Sequence, residues 1–261
     1  MGKRRIERDI TMKLSIIIRT WDRLEYLIRT IVSIDERVGI NKNFYEIIVV
    51  DQGSTDGTRE WLANTRDEGY YPIRPLFLDS NIGDGRGMQV GIEHATGDFI
   101  SQLDNDIELI TPAYYNKLIA IYEELERNEN KVCAISGSHR QGINDNSAPM
   151  RFGKKRFKKG HTSFVYSYKD LDDIQEATLY YSAWVTAAFI FRKKFAEHKF
   201  DKNMCNSWCG HWWDEGYDIF MCEDIKFWHI DSTASGGEYV KKQAKKFPSY
   251  SYIQKHYSRF I

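Results

Sequence analysis

Between residues 14 and 106, short β-branched apolar runs alternate with amphipathic stretches. Residues 14–18 (Leu-Ser-Ile-Ile-Ile) form the first run, and residues 24–34 follow with apolar positions at helical spacing. Residues 47–50 (Ile-Ile-Val-Val) are the second run, closed by Asp51, and the turn-rich stretch 53–58 leads into a helix from about Arg59. Residues 75–79 predict a third strand, 85–95 a third helix, and 98–103 a fourth strand that runs into Asp104-Asn105-Asp106. Strands this apolar belong in a parallel sheet covered on both faces, and their strict alternation with helices makes the sheet doubly wound. Such sheets bind ligands outside the carboxyl ends of their strands. The polar residues fall there: Thr20 and Asp22, then Asp51, then Asp79 and Asn81, then Asp104 and Asp106.

Beyond this regular half, residues 111–127 predict a helix with Pro112 in its first turn, and residues 132–136 a further strand. Residues 137–159 read as a loop carrying the basic run 151–159, residues 180–191 as one apolar strand, and residues 200–237 as a stretch dense in Trp, Cys, Asp, Glu and His. The expected division is a flexible basic leader over 1–12, an α/β half over 13–135 and an irregular half over 136–261, joined in one continuous domain. A hydrophobic content of 42% with 14% aromatic residues suits a packed core. The 37 basic residues balance the 37 acidic ones, so a polyanionic partner must be met by a local patch. No uninterrupted apolar run approaches the roughly 20 residues of a membrane-spanning helix, and the charged start resembles no secretory leader, which predicts a soluble, cytoplasmic protein. The four cysteines, Cys133, Cys205, Cys209 and Cys222, are too few for a disulfide framework, in keeping with a reducing compartment.

Asp104 and Asp106 are two carboxylates at a strand end, spaced to share one hard cation whose remaining ligands are waters and phosphate oxygens. Acidic pairs after strands also serve as helix caps and turn formers. Asp51 can accept a hydrogen bond from a nucleobase N–H, while Gly53 and Ser54 allow close backbone approach to a ligand. Asp56-Gly57-Thr58 reads as the turn and cap of the next helix. Cys205, Cys209, His211 and Cys222 offer four candidate zinc ligands, but their spacing matches no common zinc module and buried free cysteine is ordinary.

The segments 15–23 (Ser-Ile-Ile-Ile-Arg-Thr-Trp-Asp-Arg), 47–58 (Ile-Ile-Val-Val-Asp-Gln-Gly-Ser-Thr-Asp-Gly-Thr), 81–83 (Asn-Ile-Gly), 91–100 and 103–106 (Leu-Asp-Asn-Asp), in this order, together resemble the family 2 glycosyltransferases of the GT-A fold. The resemblance implies an α/β fold with a mostly parallel, doubly wound sheet, a nucleotide-sugar-binding first half and an acceptor-binding second half. It implies that Arg19, Thr20 and Trp21 lie beside the nucleobase, and that Asp51 contacts the base with Gly53 and Ser54 next to it. Asn81, Gly83 and Arg86 join the nucleotide site, Asp104 approaches the ribose or the metal, and Asp106 ligates Mn²⁺ or Mg²⁺. Cys222-Glu223-Asp224 is similar to the family's Glu-Asp pair near the acceptor, with Asp224 as general base and Glu223 and Asp214 as rivals; an acceptor hydroxyl needs a positioned carboxylate to take its proton. His229 either completes the metal shell or packs beside Trp228. The chain departs from the family pattern in having Arg19 where Pro is usual, Gln52 for Asp, and Met88-Gln89 for Arg-Asn; the last change removes a cation near the diphosphate, for which Arg86 is the nearest substitute.

Trp212 and Trp213 can offer a sugar or a base a stacking face, or can serve as core. Lys154, Lys155 and Arg156, interleaved with Phe152 and Phe157, suit a polyanionic acceptor, or are a solvated loop. The expected reaction is transfer of a sugar from a nucleoside diphosphate sugar, a UDP-sugar being favoured, to an acceptor hydroxyl with inversion. The acceptor would be a surface glycan, a lipid-linked sugar or hydroxymethylated DNA. A nucleotidyltransferase would carry a Gly-rich, Lys-containing loop after the first strand, and residues 19–23 contain no glycine. A catalytically inactive glycan- or nucleic-acid-binding module would show damaged carboxylates, whereas Asp51, Asp104, Asp106 and Asp224 are all present.

Overall fold

The computed structural model of the chain describes residues 14–141, 161–167, 174–181, 187–200 and 205–230. Its elements run β1 (Leu14–Thr20), α1 (Leu24–Arg37), β2 (Tyr45–Asp51), α2 (Thr58–Glu68), β3 (Ile73–Phe77), α3 (Asp84–His94), β4 (Phe99–Asp104), β5 (Ile107–Leu109), α4 (Tyr114–Arg127), β6 (Val132–Gln141), β7 (His161–Ser167), β8 (Ile174–Tyr181), β9 (Ala188–Arg192), α5 (Cys205–Asp214) and β10 (Asp218–His229). Among the described residues they form one sheet in the order β3-β2-β1-β4-β9-β6-β10-β8-β7, with β5 attached to β10 off that path.

The strands β1 to β4 are parallel, as their apolar composition predicts, and every residue of β1 is buried. Ile16 and Ile18 face one layer, with Leu27 and Ile31 of α1, Leu62 of α2 and Leu118 of α4. Ile17, Ile48 and Val50 face the other, with Met88 and Ile92 of α3 and Trp208 of α5. The sheet is therefore doubly wound, and the strand order reverses between β1 and β4, the switch point where such folds bind ligands. Beyond β4 the sheet becomes mixed: β9 runs antiparallel to both β4 and β6, and β8 antiparallel to β10 and β7.

Four sequence boundaries differ in the structure. The strand expected over 132–136 runs on to Gln141, through the first residues of the stretch 137–159 read as a loop, because they pair with β10. The third strand spans Ile73–Phe77 instead of 75–79. Pro75 sits inside it, which is tolerated because β3 is an edge strand. The apolar stretch 180–191 is not one strand; it contains the end of β8 and most of β9, which occupy different places in the sheet. The helix expected over 111–127 begins at Tyr114, after Ala113 in the left-handed region. The basic leader, the run containing Lys154, Lys155 and Arg156, and the chain after residue 230 lie outside the described residues. Among those described, no helix is long and apolar enough to cross a membrane.

Helix α3 lies against β1 through Gly91: a β-carbon there would overlap the Cγ2 of the fully buried Ile17. Gly91→Ala is therefore expected to destabilise the fold by about 1–3 kcal/mol despite alanine's better helix propensity, because overpacking a tight contact outweighs it. Urea unfolding checks this, and a midpoint at or above wild type would contradict it.

Candidate functional site

The parallel register sets the first half of the site. Thr20 pairs with Asp51 and Arg19 with Asp104, so the ends of β2, β1 and β4 stand at one level. Arg19, expected beside the nucleobase, is buried; its guanidinium pairs with Oδ1 of Asp104 at 2.5 Å. The Gln102 amide donates to that same oxygen at 2.6 Å. Enclosure pushes the Asp104 carboxyl above the ordinary carboxylate range; the Arg19 charge works against the shift and the neighbouring Asp106 adds to it. Asn105 turns away from this cluster and donates to the Thr20 hydroxyl at 3.0 Å.

Asp106 is buried between the side chains of Arg23 and His229. Nη1 of Arg23 lies 3.4 Å from Oδ2, and Nε2 of His229 lies 3.2 Å from Oδ1. His229 arrives through sheet pairing: the end of β10 runs antiparallel to β5, with His229 opposite Ile107, and the Ile230 amide donates to the Asp106 carbonyl at 2.9 Å. One ligand atom from each of Asp104, Asp106 and His229 falls within 4.8 Å of the others. Two carboxylates and an imidazole at this spacing are a donor set able to hold a divalent metal ion.

Asp51 is fully enclosed at the end of β2. Its Oδ2 receives the Ser54 amide at 3.4 Å and faces Nε of Arg59 at 3.4 Å, while Oδ1 is buried with no hydrogen-bond partner among the described residues. A buried unpaired acceptor is costly, and a nucleobase N–H would satisfy it. Arg59 also lies over the Phe77 ring at 5.1 Å.

The loops beside the site hold one another. Asp22 and Arg23 both adopt left-handed backbone, φ 57° and 66°, which costs non-glycine residues about 1–2 kcal/mol each. They are fixed by the Asp22 amide donating to Ser54 Oγ at 2.7 Å and the Thr55 amide donating to Asp22 Oδ1 at 2.7 Å. Asp56 caps α2 through the Thr58 amide and hydroxyl at 3.1 and 2.6 Å, and also takes the Leu24 amide at the start of α1 at 2.9 Å. What Gly53 approaches closely is the backbone of Asp79 and Ser80, at a φ of 83° that favours glycine. Gln52 is buried and accepts the Ile82 amide at 3.1 Å, beside Gly87 of α3. Asn81 accepts the Gly83 amide at 2.9 Å and organises the entry to α3. Trp21 and Arg86 are exposed. Met88 is fully buried against the sheet, so the position that in the family carries arginine serves here as core.

The acidic pair reaches the same level from the far side of the sheet. Cys222 pairs with Gly137 of β6 and Lys226 with Ser138, so Glu223, Asp224 and Ile225 bulge out of the ladder. Followed across β9 and β6, the ladder puts Cys222 level with Leu103 and the bulge level with Asp104. The bulge is anchored by the Ser138 hydroxyl donating to the Glu223 carbonyl at 2.9 Å and by the Lys226 amide donating to Thr111 Oγ1 at 2.8 Å. Asp224 is exposed and Glu223 half-buried. Burial pushes the Cys222 thiol up to about 11, partly opposed by the Asp224 and Ile225 amides, so it is a neutral thiol at ordinary pH.

The structure does not bring Trp212, Trp213 or Asp214 to this level. Phe195 follows the Arg192 end of β9, opposite the start of β4, and Tyr217 precedes β10; Trp212 packs edge-on against both, at 4.8 and 5.6 Å. Trp208 and Trp212 are four residues apart on α5, Trp208 fully buried and Trp212 partly so, and Trp213 packs against the same core. Asp214 ends that helix, exposed. Among the described residues, no metal-competent group includes Cys209, His211 or Cys222.

With this geometry established, comparison with known proteins assigns the chain to a class. The sequence model of Glycosyl transferase family 2 matches residues 15–197, and the chain belongs to that family. It is 32% identical over 99 residues to an undecaprenyl-phosphate 4-deoxy-4-formamido-L-arabinose transferase of Enterobacter sp., covering 37% of this chain and 29% of that protein. The chain spans about a third of the length of the curated relatives it matches. Its fold is similar to that of residues 1–349 of TarS from S. aureus in complex with UDP-GlcNAc, with a TM-score of 0.59 at 16% identity over 86% of this chain and 60% of that one. It is also similar to the mannosyltransferase PcManGT of Pyrobaculum calidifontis in complex with GDP-Man and Mn²⁺, with a TM-score of 0.58 at 14% identity over 89% of this chain and 60% of that one.

The capping network yields a pH prediction. Burial works against the Asp56 charge, but the hydrogen bonds from Thr58 and Leu24 outweigh it and hold the carboxyl below its ordinary value. Its stabilising contribution is thus complete above the unfolded value of about 3.9 and is lost as pH falls through the lower folded one. Asp56→Ala is expected to cost about 1 kcal/mol at pH 7, with the gap to wild type closing below pH 4. Denaturant titrations at both pH values check this, and a gap that widened in acid would contradict it.

Proposed function

We propose that the chain transfers a sugar from a nucleoside diphosphate sugar to an acceptor hydroxyl, with the help of Mn²⁺ or Mg²⁺ and with inversion at the anomeric carbon. The observation that carries this is the convergence of Asp104, Asp106 and His229 within 4.8 Å, at strand ends that also bear Asp51, in a family 2 chain. Asp51 would take the base N–H on its unpartnered Oδ1, with Thr20, Trp21, Asn81 and Gly83 around the nucleoside. Arg19 and Gln102 would hold Asp104 by one oxygen and so orient it. Asp106, Asp104 and His229 would ligate the cation, which when bound supplies positive charge to the departing diphosphate. Asp224, exposed on the β10 bulge, would accept the acceptor's proton, with the half-buried Glu223 next to it.

A uridine donor is favoured by the similarity to TarS, whose structure holds UDP-GlcNAc, although PcManGT holds GDP-Man. The relatives named for undecaprenyl-phosphate support a lipid-linked sugar as one acceptor class, beside an anionic glycan and hydroxymethylated DNA. The run holding Lys154, Lys155 and Arg156 would meet any of these polyanions. We expect the protein to act in the cytoplasm, where nucleotide sugars are available.

Thermal unfolding with a panel of nucleoside diphosphates tests this. UDP with Mn²⁺ is expected to raise the midpoint by several degrees, roughly 4 °C at saturation, and Asp106→Asn to abolish the rise. Asp224→Asn should keep that rise while lowering kcat about 10²- to 10⁴-fold. No rise with any nucleotide would overturn the proposal.

A further inference from the structure

The two oxygens of Asp106 are each faced by a cationic or protonatable group of the chain itself, Arg23 at 3.4 Å and His229 at 3.2 Å. The two contacts differ in kind. His229 is fixed by β-sheet pairing and supplies a lone pair that a metal can use. Arg23 comes from a loop, its side chain is 39% exposed, and a guanidinium has no lone pair to offer a cation. Its charge stands on the same carboxylate that a divalent ion bound between Asp104, Asp106 and His229 would use, and two positive charges around one buried carboxylate repel. The guanidinium has somewhere to go. In its present position the guanidinium carbon lies 5.9 Å from the centroid of the Tyr26 ring, a contact it can keep on leaving the carboxylate, and the side chain is already partly exposed.

We infer that Arg23 is a competitive latch on the metal site: it neutralises Asp106 while no cation is bound and swings off that carboxylate when one binds. The inference rests on the proposed metal site, and adds that cation binding is weakened by a residue of the chain outside the ligand set. Neutralisation by Arg23 also explains how two carboxylates can sit together in the cation-free protein, since an unpaired buried charge is strongly unfavourable. The released guanidinium would stand at the mouth of the site, on the β1–α1 loop, where the diphosphate of a donor must pass. That would supply from a new position the positive charge that the buried Met88 does not provide.

The test is Mn²⁺ binding read from the electron paramagnetic resonance signal of free Mn²⁺, for wild type, Arg23→Gln, Arg23→Lys and Asp106→Asn, each with and without UDP. Without nucleotide, Arg23→Gln is expected to bind Mn²⁺ about tenfold more tightly than wild type, with Arg23→Lys close to wild type. Affinity in Arg23→Gln equal to or below that of wild type would overturn the latch while leaving the metal site standing. Mn²⁺ binding that survives in Asp106→Asn, or is missing from every variant even with UDP, would overturn the metal site and the latch together.

Discussion

The pairing of Phe227, Trp228 and His229 at the end of β10 with β5 is the constraint on which the candidate site depends. β5 is three residues long and starts directly after Asp106, so it ties the last strand of the described chain to the Asp104-Asn105-Asp106 turn. Backbone hydrogen bonds, not side-chain attraction alone, bring His229 to Asp106. The parallel register of β1 with β2 and β4 performs the same service on the other side, aligning Thr20 with Asp51 and Arg19 with Asp104. Side chains far apart in sequence are thereby presented on one rigid rim, which is what a site that must hold charges in fixed positions needs.

The rim is also the most expensive part of the fold. Asp51, Asp104, Asp106 and Arg19 are charged groups removed from most of the solvent, and each is tolerated because a partner stands within hydrogen-bonding or ion-pairing distance. Replacing such a pair by apolar groups can be neutral, whereas removing one member leaves a buried charge and is severe. The neighbouring loops are braced accordingly. The left-handed pair Asp22 and Arg23 is held by Ser54 and Thr55, and Asp56 bonds the starts of two helices at once. This bracing places Arg23 at Asp106, so loop conformation and site electrostatics are coupled.

Much of the first half was legible in the sequence because a buried parallel strand leaves an apolar run ended by a polar residue, and helices between such runs have caps and turns of fixed chemistry. Asp51 and Asp104 were found as strand-end residues for that reason. The second half was not legible to the same degree. Its strands are antiparallel or mixed, so the stretch 180–191 gave one apolar signal for parts of two strands, and β5 is too short to leave a pattern. Nothing in the sequence separated Trp212 as a side chain packed on the core from Trp212 as a stacking face; its four-residue spacing from the buried Trp208 on α5 was the available clue. Arg23, Gln102 and Arg59 were missed as members of the site. Gln102 lies inside an apolar strand, two residues before Asp104, and a polar residue there is the kind of local inconsistency that marks function.

The most direct measurement is the anomalous difference density at the manganese edge from a crystal grown with UDP and Mn²⁺. The structure predicts one strong peak between the Asp104, Asp106 and His229 side chains, within about 2.0–2.4 Å of an oxygen of Asp106 and a nitrogen of His229, with the uracil against Asp51. A peak ligated by other residues, or UDP bound away from the carboxyl ends of β1, β2 and β4, would contradict it.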